Sequence, residues 1–239
     1  MGRGNTTTGF DGVAFGSGNT TIAAQSVAVG SGNSTGVNAS GASVFGIQSN
    51  ANGVASTVLG FRSQANARQG LAIGFYSKAN GLGALASGRH ALANGEFSVA
   101  VGNWTGSALG DPFLDLDLDG DGVADADSRQ TIAHGSSSSA FGPGALALAS
   151  DSVAIGHGAR ANVVGSVAIG SRSVADRENT ISVGAAGAER QIVNVADATQ
   201  DTDAVNFRQL KFVGNTLATG VSGVLGGCAT SSPGLYYWG

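Results

Sequence analysis

The chain has 239 residues, a net charge of −4, 42% hydrophobic but only 6% aromatic residues, and 40 glycines against three prolines. Collagen, which needs glycine at every third position and abundant proline, is excluded. The lack of a basic patch argues against nucleic acid as a partner. Charged residues reach only 12%, far below a typical soluble domain, so a repetitive, turn-rich β architecture is expected.

In chain order, a short apolar run ending in glycine recurs: VAFG at Gly16, VAVG at Gly30, SVFG at Gly46, TVLG at Gly60, LAIG at Gly74, LASG at Gly88 and VAVG at Gly102. After a gap come SAFG at Gly142, VAIG at Gly156 and Gly170, and ISVG at Gly184. The spacings are 14, 16, 14, 14, 14, 14, 40, 14, 14 and 14 residues. Fourteen residues hold two short strands and two turns, with no room for a helix, so each repeat is one coil of a flattened β-solenoid. The recurrent glycine is expected at a corner that needs φ > 0 or close backbone approach.

The columns of the repeat refine this. The residue before glycine is apolar in ten of eleven copies, with Ser87 the exception, and two residues earlier stand Val13, Val27, Leu71, Leu85, Val99, Val153, Val167 and Ile181. Alternation with period two puts these two bulky columns on one strand face and the small residue between them on the other. The bulky columns, including Val153, Ile155, Val167 and Ile169, are expected to be core, and the small face is where partner chains would approach. Five residues after glycine comes Thr21, Thr35, Ala51, Ala65, Ala79, Ala93, Ser107, Ala147, Ala161 or Ala175, a second strand packed closely against something. One coil cannot fold alone, because two large side chains gain roughly 1.5–3 kcal/mol each while ordering each backbone residue costs about 1–2 kcal/mol. Stacking and subunit association are expected to close the gap.

The 40-residue gap contains an insertion, placed at 104–136, with seven acidic residues between Asp111 and Asp127. Carboxylates at alternate positions followed by glycine suit a structural calcium ion. The preferred register sets Asp117, Asp119 and Asp121 at positions one, three and five, Gly122 at six, the Val123 carbonyl at seven and Asp125 at nine. Position twelve is Ser128 instead of the bidentate glutamate of an EF-hand, which weakens the site or passes the last ligand to Asp127. A register beginning at Asp115 places Gly120 correctly but offers Val123 and Ala126 later, and a solvated acidic loop is the plain alternative.

Beyond Glu178 the text changes to ENTISVG, then ERQIVNVAD from Glu189 and DTDAVNFRQL from Asp201 to Leu210. Asp201 or Thr202 is expected to cap a helix with Asp203 in its first turn. Leu210, Leu217 and Val224, with Val213 between, form the seam of a short coiled coil, which Gly214, Gly220, Gly223 and Gly226 weaken. An amphipathic helix packed on the solenoid is the alternative.

The repeats, together with ENTISVG, ERQIVNVAD and DTDAVNFRQL, resemble the head and neck of YadA-like trimeric autotransporter adhesins. The resemblance implies an all-β fold: a left-handed parallel β-roll solenoid of 14-residue repeats, trimeric, followed by a neck and a short coiled-coil helix. It divides the chain into a head at 1–185, a neck at 186–210, and at 211–239 a stalk and the start of a further domain. It also implies a homotrimer on a bacterial cell surface, outer membrane-anchored and extracellular, touching the membrane only through a C-terminal anchor absent from this chain. Host matrix proteins such as collagen, fibronectin or laminin are the partners it suggests. In collagen-binding heads of this family a pattern NSVAIGxxS repeats. Here DSVAIGHGA lacks the leading Asn and the final Ser, and GSVAIGSRS lacks the Asn. Candidate ligand-binding residues on these copies are Ser152, His157, Ser166, Ser171 and Ser173. A phage tail fibre or passive surface spacer built on the same roll is the alternative function.

No enzyme is expected. His90, His134 and His157 are scattered, Cys228 is alone, and GNSTG at Gly32–Gly36 lacks the helix that a nucleophile elbow requires. Asn-x-Ser/Thr triplets at Asn5, Asn19, Asn33, Asn38 and Asn103 are read as turn residues.

Overall fold

A computed structural model describes residues 2–103 and 130–224. The insertion residues Asp117, Asp119, Asp121, Val123, Asp125 and Asp127 lie outside the described residues. The chain divides into two compact units, Met1–Glu189 and Arg190–Gly239.

The first unit is a parallel β-solenoid. Each coil contributes one strand of three to five residues and one of two residues, and the strands stack coil on coil into two parallel eleven-stranded sheets among the described residues. One sheet runs from Val13–Ser17 to Ile181–Ser182, the other from Thr6–Thr7 to Val174–Ala175. Register is strict: Leu71 lies opposite Thr57 and Leu85, Ala72 opposite Val58 and Ala86. The 16-residue repeat does not shift it, since Val27 pairs with Ser43 and Gly30 with Gly46.

The 26 residues that the gap holds beyond one repeat end earlier than the placement at 104–136. Ile132–Ala133 pairs with Leu92–Ala93, and the Thr131 hydroxyl donates to the Gly142 carbonyl (2.8 Å) as the Asn19 amide does to Gly30. The roll therefore resumes at Thr131, not after residue 136. The small column is filled in that coil by Ala133, not Ser107, and the next strand meets its partner in register, Val101 opposite Phe141.

The glycine corner behaves as expected. At Gly60 φ is +148°, and a Cβ would sit 1.8 Å from the Gly74 carbonyl oxygen. Gly74 has φ +129° and faces Gly88 in the same way, so the column exists to let each corner carbonyl nest against the coil before it.

The assignment of faces is the reverse of expectation. The small column is the core: Ala28, Val44, Val58, Ala72, Ala86, Ala100, Ala140, Ala154 and Ala168 are fully buried, as are Thr21, Thr35, Ala51, Ala65 and Ala79 opposite them. The bulky columns point outward, with Phe15 61%, Ile155 42% and Ile169 41% exposed and Val153 and Val167 half-buried. The physical reason is the brevity of the coil. In these two columns the strands lie too close for anything between them larger than a methyl, hydroxyl or isopropyl group. The bulk of the neighbouring columns is accommodated outside.

Polar groups complete the interior. Asn19 accepts from the Asn33 N–H (3.0 Å) and donates to the Phe15 and Gly30 carbonyls (both 2.9 Å), and Asn33 repeats this one coil on, so both are turn residues as expected. Buried Ser49 and Ser63 take over the position, donating to the Gly60 and Gly74 carbonyls.

Among its described residues the second unit contains one helix, α1 (Phe207–Val224), preceded by irregular chain. No helix among the described residues is long and apolar enough to cross a membrane.

Candidate binding surfaces and the neck

Three surfaces carry the functional groups. The first is the outward apolar face of the longer strands, where Val13, Phe15, Phe45, Leu59, Phe141, Ile155, Ile169 and Ile181 stand exposed, while the same columns are half-buried in the coils of Gly30, Gly74, Gly88 and Gly102. Apolar side chains exposed in this number along one face form a surface made to be covered.

The second is the corner after the recurrent glycine. Five of the eleven coils place Ser or Gly at one or both of the next two positions, but the coils of Gly46, Gly60, Gly74 and Gly88 place Ile47-Gln48, Phe61-Arg62, Phe75-Tyr76 and Arg89-His90. The rings stack across coils: Phe61 on Phe75 (5.2 Å, 11°) and Tyr76 on His90 (5.2 Å, 6°). Arg62 lies over Phe61 at 5.2 Å, donates to Gln48 Oε1 (2.7 Å) and hydrogen-bonds the Tyr76 hydroxyl. The sequence reading missed this cluster. Its signal is the run of ring and guanidinium side chains, Phe61-Arg62, Phe75-Tyr76 and Arg89-His90, at the two positions beyond the glycine in three successive coils.

A separate ladder of side-chain amides runs along the other sheet: Asn52 donates to Asn66 (2.9 Å), Asn66 to Asn80 (2.7 Å) and Asn80 to Asn94 (2.8 Å). Each amide satisfies the next, as in stacked cross-β arrays, so the row is structural.

The candidates Ser152, His157, Ser166, Ser171 and Ser173 are not brought together. Ser152, Ser166 and Ser173 are fully buried, and their hydroxyls donate to the Ala149 (2.6 Å), Val163 (2.6 Å) and Ile169 (2.7 Å) carbonyls. They lock turns and cannot meet an external ligand. His157 is half-buried and Ser171 exposed. Among the described residues no three His, Cys, Asp or Glu side chains converge as a metal site requires.

The third surface is the neck. Asn206, not Asp201 or Thr202, caps α1: its Oδ1 accepts the Gln209 N–H (3.1 Å), while Gln209 Oε1 accepts the Asn206 N–H (3.3 Å). This reciprocal pair is a capping box, and Asn-x-x-Gln was its legible signature. Asp203 lies before the helix, where its carboxylate accepts the Thr199 (2.9 Å) and Gln200 (3.0 Å) N–H groups, which hold it below the usual carboxylate range. Arg208 donates to Asp197 Oδ1 (2.7 Å), as does Asn206 (2.7 Å), and these bonds lower the Asp197 pKa and raise that of Arg208. Gln209 also exchanges two hydrogen bonds with the backbone of Ala198 (3.0 and 3.2 Å). Asn206, Arg208 and Gln209 thus fasten 195–198 to the first turn. Asn206→Ala should cost about 1 kcal/mol of helix stability. The helical circular dichroism of the neck would report it as an earlier melt, and an unchanged melt would mean the box is ornamental.

The apolar residues of this unit are left outside. Ile192, Val193, Val205, Phe207, Leu210, Val213 and Leu217 are all exposed; Leu210, Val213 and Leu217 are members of the expected seam, and the side chain of its fourth member, Val224, lies outside those described.

The model of the coiled stalk of trimeric autotransporter adhesins matches residues 191–231. The YadA head domain repeat matches 8–33, 38–63, 51–77, 79–103, 133–159 and 164–186, more than half of the chain. The chain belongs to the YadA-like trimeric autotransporter adhesins. Its roll is the family's head, and the Asn206 capping box lies in the stretch that matches the stalk. Among solved structures, the YadA-like chain is similar to the collagen-binding domain of the Yersinia adhesin YadA, at 26% identity, covering 83% of this chain and 86% of that one, with a TM-score of 0.38. No curated protein matches it.

Proposed function

We propose that this chain is the head and neck of a homotrimeric bacterial surface adhesin, held at the outer membrane and attaching the cell to host matrix or other surfaces by many weak contacts. The observation that carries this reading is the placement of the bulky columns. Each coil leaves one or two large apolar side chains outside, each worth roughly 1.5–3 kcal/mol on burial. Three rolls set side by side would cover those faces, and three copies of the exposed seam at Leu210, Val213 and Leu217 would cover one another. Repetition of a surface along the roll supplies avidity in place of a deep pocket. Nothing in this reading requires catalysis.

Light scattering coupled to size exclusion tests it. The expected mass is that of three chains, and a folded monomer would overturn the assembly. Retention on immobilised collagen, fibronectin or laminin tests attachment, and a passive spacer would bind none of them. The calcium proposal rests on the ligand spacing of Asp117, Asp119, Asp121, Val123, Asp125 and Asp127 alone. A chelator should lower the melting midpoint if it is right and leave it unchanged if the loop is merely solvated.

A further inference from the structure

We infer that the corner formed by the coils of Gly46 to Gly88 is a docking site for an acidic polysaccharide lying along the roll, an inference that rests on the adhesin reading above.

The argument begins with charge. The chain is acidic overall, yet the four positions after the recurrent glycine hold no Asp or Glu in any coil outside the insertion. Within this stretch three of the four coils hold one cation each: Arg62 after Gly60, Lys78 after Gly74 and Arg89 after Gly88, all exposed. The partners of Arg62 are the neutral Gln48 and Tyr76 and the faces of Phe61 and Tyr76, so no carboxylate offsets its charge. Strand stacking sets the coil rise at about 4.8 Å. Three successive coils thus each add one positive charge, at the second, fourth and first position after the glycine, spread around the corner within about 10 Å along the roll axis.

The aromatic rings sharpen the choice. Phe61 and Phe75 cover one face of each other, as do Tyr76 and His90, and the Arg62 and Arg89 guanidinium groups lie over Phe61, Tyr76 and Phe75, so the faces are largely taken and the edges are left. A ring edge carries the positive end of the quadrupole and a face the negative end. Edges and guanidinium groups together present positive potential to an anion. The ring faces are already occupied, which leaves no open platform for the base stacking by which single-stranded nucleic acid is held. A second copy of the chain would bring the same cationic corner and be repelled. Phe61 and Phe75 close the outward apolar face at its rim, whereas Arg62, Tyr76 and Lys78 lie past the corner.

The test uses the whole chain against immobilised heparin, hyaluronate, dextran and a thymidine oligonucleotide. Arg62→Gln with Lys78→Gln is compared with Arg68→Gln, an exposed cation elsewhere on the roll. The expected result is salt-sensitive binding to the acidic polysaccharides and not to dextran, weakened roughly tenfold by the double substitution and unchanged by Arg68→Gln. Equal weakening by Arg68→Gln, or none by the double substitution, would overturn the site while leaving the adhesin reading intact. Tighter binding to the oligonucleotide would overturn the ligand class. Retention on matrix protein without any on acidic polysaccharide would sink this inference alone, and retention on none of these surfaces would sink both.

Discussion

Gly60→Ala should break the roll at its centre. The added methyl would lie 1.8 Å from the Gly74 oxygen and 2.8 Å from its carbon, both backbone atoms of a coil locked in register, and φ of +148° is itself hostile to an L side chain. No side chain can swing away to make room, so adjacent coils must part. The cost is about 3 kcal/mol or more, in the range reserved for strained backbone and overpacking together. Because each coil touches only its neighbours, the defect should split one melting transition into two, for the coils before and after it. Gly18→Ala is the control: its φ of +65° carries a strain of about 1–2 kcal/mol, but the nearest atom lies 3.9 Å away. Calorimetry showing the same small shift for both would refute the account of the corner as a nesting of carbonyls.

The second large effect concerns the two faces. Ala72 is fully buried between Val58 and Ala86, so Ala72→Leu forces three extra carbons into a space built for a methyl group. A loss of about 3 kcal/mol is expected, because neither sheet can withdraw without breaking its ladder. Leu59→Asp places a charge on the face opposite and meets solvent in a single chain, where Leu59 is exposed. It should leave the β signal in circular dichroism intact at low protein concentration and lower the mass seen by light scattering. If Ala72→Leu were tolerated and Leu59→Asp unfolded the isolated chain, the core would lie on the other side.

The period of the roll was legible because glycine at Gly16, Gly30 and Gly60 answers a steric demand that no other residue meets. Which face is inside was not. Alternation in VAIG says only that two faces differ, and the habit of placing bulk inside comes from sheets packed far enough apart to hold it. A column of alanine is the interior when the two sheets belong to a single short coil. The end of the insertion was misplaced because Thr131 continues a hydrogen-bonding role, held elsewhere by Asn19, Asn33 or Ser63, that changes residue type from coil to coil. Of the proposed ligand residues, Ser152, Ser166 and Ser173 belong to a motif whose reason is to tie a turn to a carbonyl three or four residues back. Asn206 and Gln209 formed a readable box that the acidic run at Asp201–Asp203 obscured.

The coil-by-coil register has a mechanical consequence. In the proposed adhesin a pull from the neck loads the roll at Ile181–Ser182, the last strand among the described residues, which pairs on one side only with Val167–Ile169. Such a load would strip one coil at a time, a regular coil releasing 14 residues, or about 45 Å of slack. The stretched roll would thus yield in small steps, the ladder beyond the break staying whole, and shed tension before the proposed adhesive contact is lost.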